Sequence, residues 1–90
     1  MGLTQIVQQS SFKKDVKRMT KRGKDASKLK ELIGLLFTEE DLPESYRDHA
    51  LIGNWKGWRD CHVEPDWILI YKVQDNSLIL GRTGTHSDLF

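Results

Sequence analysis

The stretch WILIYKV, residues 67–73, carries apolar side chains at both odd and even positions. An extended chain with this pattern is apolar on both faces, which favours a central β-strand. Turn residues flank it, Glu64-Pro65-Asp66 before it and residues 74–77 after it. Further strands are predicted beyond the two turns, over residues 56–63 and 78–85. The last third of the chain is therefore predicted to form an antiparallel three-stranded meander.

The first half of the chain predicts one strand and two helices. Residues 3–8 alternate in polarity and predict a short strand. Apolar side chains recur at helical spacing over residues 12–19, behind a Ser-Ser start signal, and this helix is predicted to end near Gly23. Asp25 is a candidate N-cap for a second helix over residues 26–37.

The predicted order of elements, strand, helix, helix and meander, belongs to the α+β class. We expect one sheet with both helices packed on one face and the other face left exposed. Residues 38–54 show neither the helical nor the strand periodicity of apolar residues and are predicted to be a loop. The chain is predicted to end in a tail after His86. Ninety residues are enough for one core, so a single domain over residues 1–90 is expected.

Composition argues against a membrane protein and a secreted disulfide scaffold. Hydrophobic residues make up 38% of the chain, with no apolar run near the ~18 residues of a membrane span. No secretory signal is readable at the amino terminus. The single cysteine, Cys61, cannot form an internal disulfide and fits a reducing compartment. These features predict a cytoplasmic protein with no membrane partner.

No motif in the sequence predicts a cofactor or a metal. The glycine-rich segments that bind nucleotide phosphates are absent. The three histidines and Cys61 include no pair with the C-x₂-C or H-x₃-H spacing of a zinc site. Cys61 and His62 are also neighbours on a predicted strand and should point to opposite faces. We therefore expect neither a cofactor nor a metal.

Charge is distributed unevenly along the chain. Residues 1–30 hold nine basic and two acidic side chains, a net charge of +7, whereas residues 31–90 carry −6. A basic amino-terminal third favours a polyanionic partner such as nucleic acid, because each phosphate contact releases counterions. A solvated helix face is the structural alternative.

Three histidines, His49, His62 and His86, lie in the second half of the chain. His49 precedes the meander, His62 shares a face of its first strand with Asp60, and His86 follows its last strand. Antiparallel pairing can bring such groups together on the exposed face of the sheet. Asp66, in the turn, could orient a histidine or act as a base. Imidazoles that exchange protons near neutral pH, with carboxylates beside them, suit metal-free cleavage of RNA.

Other side chains in the same region could bind the RNA itself. Arg82 offers two parallel donors to a phosphate, and Trp67 or Phe90 could stack on a splayed base. For each residue a structural role is the alternative, and buried tryptophans are more often part of a core.

The second half of the chain also contains long segments with specific spacing: YRDHAL at 46–51, GNWKGWRDCHVEPDWILIY at 53–71 and RTGTHSDLF at 82–90. They include the patterns R-D-x-H-x-x-P-D-W and R-x-G-x-H-x-x-L-F. These segments resemble the YafQ branch of the RelE toxin superfamily. The predicted amino-terminal strand and paired basic helices are compatible with the fold of that family.

The resemblance implies a bacterial type II toxin, a ribosome-dependent endoribonuclease that cuts messenger RNA in the A site of the 70S ribosome. It also implies a DinJ-like antitoxin with a ribbon-helix-helix part, through which the pair would bind operator DNA and repress its operon. The residues that it implicates in catalysis are His49, His62, Asp66 and His86, and those in RNA or phosphate contact are Asp60, Trp67, Arg82 and Phe90.

On this basis we expect His86 to be the general acid, with Asp66 or His62 activating the 2′-hydroxyl. His49 and Arg82 are expected to hold the scissile phosphate. Two hypotheses from other classes remain open: a non-catalytic RNA-binding module, and a co-repressor that acts only through its antitoxin. The basic side chains expected to contact the ribosome are Lys13, Lys14, Lys17, Arg18, Lys21 and Arg22.

Overall fold

A five-stranded sheet forms the centre of the protein, in a computed structural model that describes residues 2–90. The strands are β1 (Gln5–Gln8), β2 (His49–Ala50), β3 (Arg59–Glu64), β4 (Trp67–Gln74) and β5 (Ser77–Gly84). Their spatial order is β1-β5-β4-β3-β2, with β1 parallel to β5 and the other pairs antiparallel. The WILIYKV stretch lies in the middle strand, and the α+β class is confirmed. The predicted antiparallel strands are β3, β4 and β5, and the unpredicted β2 extends them by a fourth antiparallel strand.

Two helices pack on one face of this sheet, α1 (Ser10–Lys21) and α2 (Ala26–Phe37). After α1 the chain turns at Gly23, whose φ of +89° suits the glycine that follows a helix cap. Asp25 caps α2, and its carboxylate accepts a hydrogen bond from the Ser27 backbone N–H at 2.9 Å. The two predicted helices, the stop at Gly23 and the Asp25 cap are confirmed. The Ser-Ser pair does not cap α1, because the N-cap is Gln9 without a side-chain hydrogen bond and Ser11 Oγ donates to the Gly81 carbonyl instead.

The core lies between the two helices and the sheet. Cys61 is fully buried in it, and burial raises the pKa of its thiol, so this cysteine is a packing residue. Within residues 2–90 no helix has both the length and the apolar character needed to cross a bilayer. The main core side chains are Phe12, Met19, Leu29, Leu32, Leu36, Trp67, Leu69, Tyr71, Leu78 and Leu80.

Besides two 3-10 turns, Glu44–Tyr46 and Gly53–Trp55, one short strand and one short helix occur where no regular structure was predicted. β2 pairs with only two residues of β3, which is too short for any alternation to show in the sequence. A third helix, α3 (His86–Leu89), follows β5. Thr85 and Asp88 form a capping box at its start, in which each side chain accepts from the backbone N–H of the other residue. Both elements carry predicted site residues, and both hold those residues in defined positions.

The sheet face opposite the helices is covered in its middle, which corrects the prediction of a bare face. Ile68 and Ile70 alternate with the core residues of β4, and both are fully buried on this opposite side. The Trp58 ring lies so close to Gly81 that a Cβ there would approach it to 2.6 Å. Lys72 Nζ lies 4.6 Å from the centroid of the same ring.

Candidate active site

The three histidines meet on the sheet face opposite the helices. In the strand register His49 of β2 lies opposite Asp60 of β3, and His62 lies two residues further along β3. The His49 Nδ1 and His62 Nε2 atoms lie 3.2 and 4.0 Å from Asp60 Oδ1. The His86 and His62 rings lie 5.6 Å apart, centroid to centroid. The predicted gathering of these groups on one face is confirmed.

His86 is held by Asp66 from the turn between β3 and β4. Asp66 Oδ1 accepts from the His86 backbone N–H at 3.0 Å and from ring Nδ1 at 2.7 Å. These two bonds, the backbone one foremost, hold the pKa of the Asp66 carboxyl below its ordinary value, so it is ionised at neutral pH. Because a carboxylate oxygen accepts, Nδ1 carries the hydrogen. Nε2 is left free on a ring that is 56% exposed.

The other two imidazoles are held by main-chain carbonyls. His62 Nδ1 donates to the Pro65 oxygen at 3.1 Å, and His49 Nδ1 donates to the Arg47 oxygen at 2.7 Å. Since a carbonyl oxygen only accepts, Nδ1 carries the hydrogen in both rings when they are neutral. All three histidines thus share one arrangement, in which Nδ1 is anchored and Nε2 is the nitrogen that can exchange a proton.

Asp60 is the buried anion of this cluster, with a side chain only 6% exposed. Its Oδ1 atom has no hydrogen-bond partner within residues 2–90. Burial raises the pKa of the Asp60 carboxyl, and the charges of the surrounding histidines oppose that rise. Asp60 is therefore placed to stabilise an imidazolium that forms beside it.

Trp67 belongs to the core and not to an RNA-binding surface. Its ring is 1% exposed, and its Nε1–H donates to Thr83 Oγ1 at 2.9 Å. The Thr83 hydroxyl in turn donates to the Ile68 carbonyl at 2.8 Å. The prediction that Trp67 contacts RNA is wrong, because the alternation along β4 turns position 67 towards the helices together with Leu69 and Tyr71.

Arg82 is held by Asp15 of α1. Its Nε and Nη2 atoms donate to Asp15 at 2.6 and 3.2 Å. Asp15 is buried and also accepts from Arg18 at 3.0 Å and from the Thr83 backbone N–H at 3.1 Å. Two of the three guanidinium nitrogens of Arg82 are thus engaged inside the protein, and a phosphate contact through the remaining Nη1 stays a prediction.

Phe90 lies beside the histidine cluster. Its ring is 6.4 Å from the His86 ring, centroid to centroid, and the residue is 57% exposed. An exposed aromatic ring next to a free imidazole nitrogen can stack on a base, and this role stays a prediction.

Comparison with known proteins identifies the family. Residues 4–90 match the family model described as bacterial toxin of type II toxin-antitoxin system, YafQ. The chain belongs to this family. The mRNA interferase toxin YafQ of Escherichia coli K12 is 58% identical over 80 residues, which cover 88% of this chain and 87% of that protein. 

Two solved structures share the fold of this YafQ-family chain. The crystal structure of YafQ from E. coli strain BL21(DE3) matches with a TM-score of 0.90 at 53% identity, over 94% of this chain and 96% of that chain. The E. coli DinJ-YafQ toxin-antitoxin complex contains a chain that matches with a TM-score of 0.90 at 52% identity, over 100% of this chain and 99% of that one.

The basic surface of this YafQ-family toxin is divided between paired arginines and free lysines. Arg18 contacts Asp15 at 3.0 Å, and Arg22 contacts Asp88 of α3 at 2.7 Å, which ties α1 to the segment that carries His86. Ribosomal contact by the six predicted basic residues stays a prediction. The four that are exposed and form no ion pair within residues 2–90 are Lys13, Lys14, Lys17 and Lys21.

Asp48 and the two anchoring carbonyls hold parts of the histidine cluster in place, and none of them was predicted from the sequence. Asp48 accepts from the Tyr71 hydroxyl at 2.5 Å and from Arg59 Nε at 3.2 Å, which fixes the residue before His49 against β3 and β4. Burial foremost, and then the bond to Asp48, raise the pKa of Tyr71 well above its ordinary value, so its hydroxyl remains a donor. The position of Asp48 next to His49 was the one available signal.

Proposed function

We propose that the chain is an endoribonuclease and the toxin of a type II pair, which cleaves messenger RNA in the A site of the ribosome by metal-free acid–base chemistry. Membership of the family and the name of the E. coli relative, an mRNA interferase, support the toxin and nuclease roles. The chemical part rests on one observation, that His49, His62 and His86 are all anchored through Nδ1 with Nε2 left to exchange a proton.

His86 is the general acid in this proposal. Protonated at Nε2, it donates that proton to the 5′-oxygen of the leaving nucleotide as the bond from phosphorus to that oxygen breaks. Asp66 stabilises the imidazolium and keeps the ring oriented through Nδ1, as a carboxylate does behind a catalytic histidine.

His62 is the general base, in preference to Asp66. Its neutral Nε2 accepts the proton of the 2′-hydroxyl as that oxygen attacks phosphorus, and Asp60, 4.0 Å away, stabilises the imidazolium that results. Asp66 is less suited because its lowered pKa makes it a weak base. The products are a 2′,3′-cyclic phosphate on one fragment and a 5′-hydroxyl on the other.

The remaining residues bind the substrate. His49 is exposed, and its Nε2–H, when protonated, can donate to a non-bridging phosphate oxygen. Arg82 adds the Nη1 donors that Asp15 leaves free, and the exposed ring of Phe90 stacks on a base. The exposed lysines of α1 dock on ribosomal RNA, where phosphate contacts release counterions.

The partner of the toxin is a DinJ-like antitoxin with a ribbon-helix-helix part, through which the pair represses its operon. A DinJ-YafQ complex exists for a relative with the same fold. Complementary charge on an acidic antitoxin would steer its association with the basic amino-terminal third. An association rate that falls with added salt is expected, and a salt-independent rate would contradict the electrostatic part of this proposal.

Single-turnover cleavage on ribosomes programmed with a defined messenger tests the nuclease proposal. We expect His86→Ala to lower the cleavage rate by about 10²- to 10⁴-fold, with 5′-hydroxyl ends on the wild-type products. Asp75→Asn, in the turn between β4 and β5, is the matched control and should cut at the wild-type rate. Cleavage by His86→Ala at the wild-type rate would remove the acid assignment, and RNA binding without scission would favour a non-catalytic RNA-binding module.

A further inference from the structure

Arg47 is the one arginine without an ion pair among the residues that the structure describes. Arg18 and Arg82 contact Asp15, Arg22 contacts Asp88, and Arg59 contacts Asp48. Arg47 is exposed, and within residues 2–90 its side chain makes no hydrogen bond. Five fixed donors are thus left without a protein acceptor, in a geometry that matches the oxygens of a phosphate.

Arg47 shares a cavity with the histidine cluster. A cavity of about 500 Å³ opens between the short 3-10 turn Glu44–Tyr46 and the end of β3, and Arg47 and His62 both line it. The Pro65 carbonyl that anchors His62 Nδ1 belongs to the same wall. An RNA strand whose scissile linkage lies at His62 would therefore pass the mouth of this cavity.

The backbone of Arg47 is also part of the site. Its carbonyl oxygen accepts from His49 Nδ1 at 2.7 Å. Its φ of +49° lies in the left-handed region that residues other than glycine seldom adopt. Unusual backbone conformations of this kind cluster at functional sites. Arg47 thus contacts the site twice: its backbone anchors His49, and its side chain lines a cavity together with His62.

The charges around the two cavities that Arg47 borders favour a phosphate in the cavity that contains His62. A second cavity of about 460 Å³, which Arg47 also borders, is lined by Glu39, Glu40, Asp41 and Glu44. Its acidic wall repels phosphate. The cavity at His62 has one acid in its lining, Glu64, which is paired with Lys24 and Lys28, and the His62 imidazole attracts phosphate when it is protonated. A phosphate bound by Arg47 would therefore lie on the side of His62.

We propose that Arg47 is a substrate-binding residue whose guanidinium binds an RNA phosphate beside His62. In this proposal Arg47 supplies most of the phosphate binding that was expected of Arg82. This inference rests on the proposed nuclease function. Two of the Arg82 guanidinium nitrogens donate to Asp15, whereas Arg47 keeps both terminal nitrogens free for a bidentate contact.

Three substitutions separate the guanidinium from the backbone it stands on. Arg47→Gly removes the side chain and accepts a positive φ without strain, so the carbonyl that anchors His49 stays in place. Arg47→Gln removes the charge and keeps side-chain length, and Arg47→Lys keeps the charge without the fork. The matched control is Lys56→Gln, which removes one charge from an exposed side chain with no ion pair among residues 2–90.

The first readout is single-turnover cleavage as a function of ribosome concentration. We expect Arg47→Gly and Arg47→Gln both to lower the ratio of maximal rate to half-saturating concentration by about 10- to 100-fold, Arg47→Lys to recover part of the loss, and Lys56→Gln to stay within about twofold. Wild-type cleavage by Arg47→Gly would overturn the proposal, because only the backbone would then matter.

The second readout does not depend on cleavage. An oligoribonucleotide with 2′-O-methyl groups cannot be cut, and its titration should shift the Arg47 Nε–H resonance together with the His62 ring resonances. If wild-type protein fails to cut messenger but these resonances shift together, the nuclease proposal fails and the phosphate site stands. A shift of His62 with no change at Arg47 Nε would overturn the site.

Discussion

Asp15 and Asp60 are both buried carboxylates, 3% and 4% exposed, yet their surroundings are opposite. Asp15, in α1, accepts four hydrogen bonds from two arginines and the Thr83 backbone. Asp60, towards the histidines, has an Oδ1 atom with no hydrogen bond within residues 2–90. Buried acceptors are nearly always satisfied. The satisfied carboxylate holds the scaffold, and the unsatisfied one retains an attraction for positive charge that the proposed reaction would use.

Removing Asp15 should have the largest effect on stability. Asp15→Ala leaves two guanidinium groups and the Thr83 N–H without their acceptor, and we expect a loss of about 3 kcal/mol of unfolding free energy. Urea unfolding at pH 7 measures it. Glu31→Ala, at an exposed position of α2, is the control and should change stability by less than about 0.5 kcal/mol. A loss below about 1 kcal/mol for Asp15→Ala would show that its partners are re-solvated at little cost.

Trp67→Phe tests whether the tryptophan belongs to the scaffold side. The change keeps an aromatic ring but leaves Thr83 Oγ1 without its donor, so about 1 kcal/mol of unfolding free energy should be lost. Cleavage on ribosomes at 25 °C should stay within about twofold of wild type, because no exposed surface is altered. A tenfold loss of cleavage in a folded variant would indicate that Trp67 contributes to RNA binding after all.

Asp60→Asn should trade activity for stability. Burial raises the native pKa of Asp60, so the charged carboxylate destabilises the fold at neutral pH, and this penalty disappears as the pH falls through the native pKa. We therefore expect the variant to be slightly more stable than wild type at pH 7, with the difference vanishing towards pH ~4, and to cut more slowly because His62 loses its counter-ion. Urea unfolding at both pH values and single-turnover cleavage check both halves. A variant that is less stable at pH 7 would mean that Asp60 is a scaffold residue like Asp15.

Arg22→Gln should have the smallest effect and should be confined to α3. It removes the contact between Arg22 and Asp88, which is 2.7 Å long and exposed, while the capping box of Thr85 remains. Amide hydrogen exchange over residues 85–90 should become faster, with no change in β4. Equal exchange in both proteins would show that the capping box alone holds the segment that carries His86.

The periodicity of apolar residues predicted the elements that are long enough to show it. The double-sided apolar stretch marked β4, and the helical spacing with Gly23 and Asp25 marked the two long helices. β2 escaped prediction because two residues hold no period. α3 escaped it although Thr85 and Asp88 form a capping box, since its four residues give no apolar repeat.

The site was predictable where chemistry depends on residue type, and not where it depends on partners. Three histidines and Asp66 could be named from the sequence, and the register of β2 and β3 then brought His49 and His62 to Asp60. The engagement of Arg82 could not, because Asp15 lies 67 residues away along the chain. Alternation alone could have placed Trp67 in the core, since it shares parity with Leu69 and Tyr71.

The way His49 and His62 are anchored limits how this toxin can be inactivated. Their hydrogen-bond acceptors are the main-chain oxygens of Arg47 and Pro65, which survive the replacement of either side chain. His86 alone depends on a side-chain acceptor, Asp66. A selection for non-toxic variants should therefore return substitutions of the three histidines, of Asp66, or of residues that change the backbone path through these two turns. Substitutions of the Arg47 or Pro65 side chain should seldom disturb the orientation of the His49 and His62 rings.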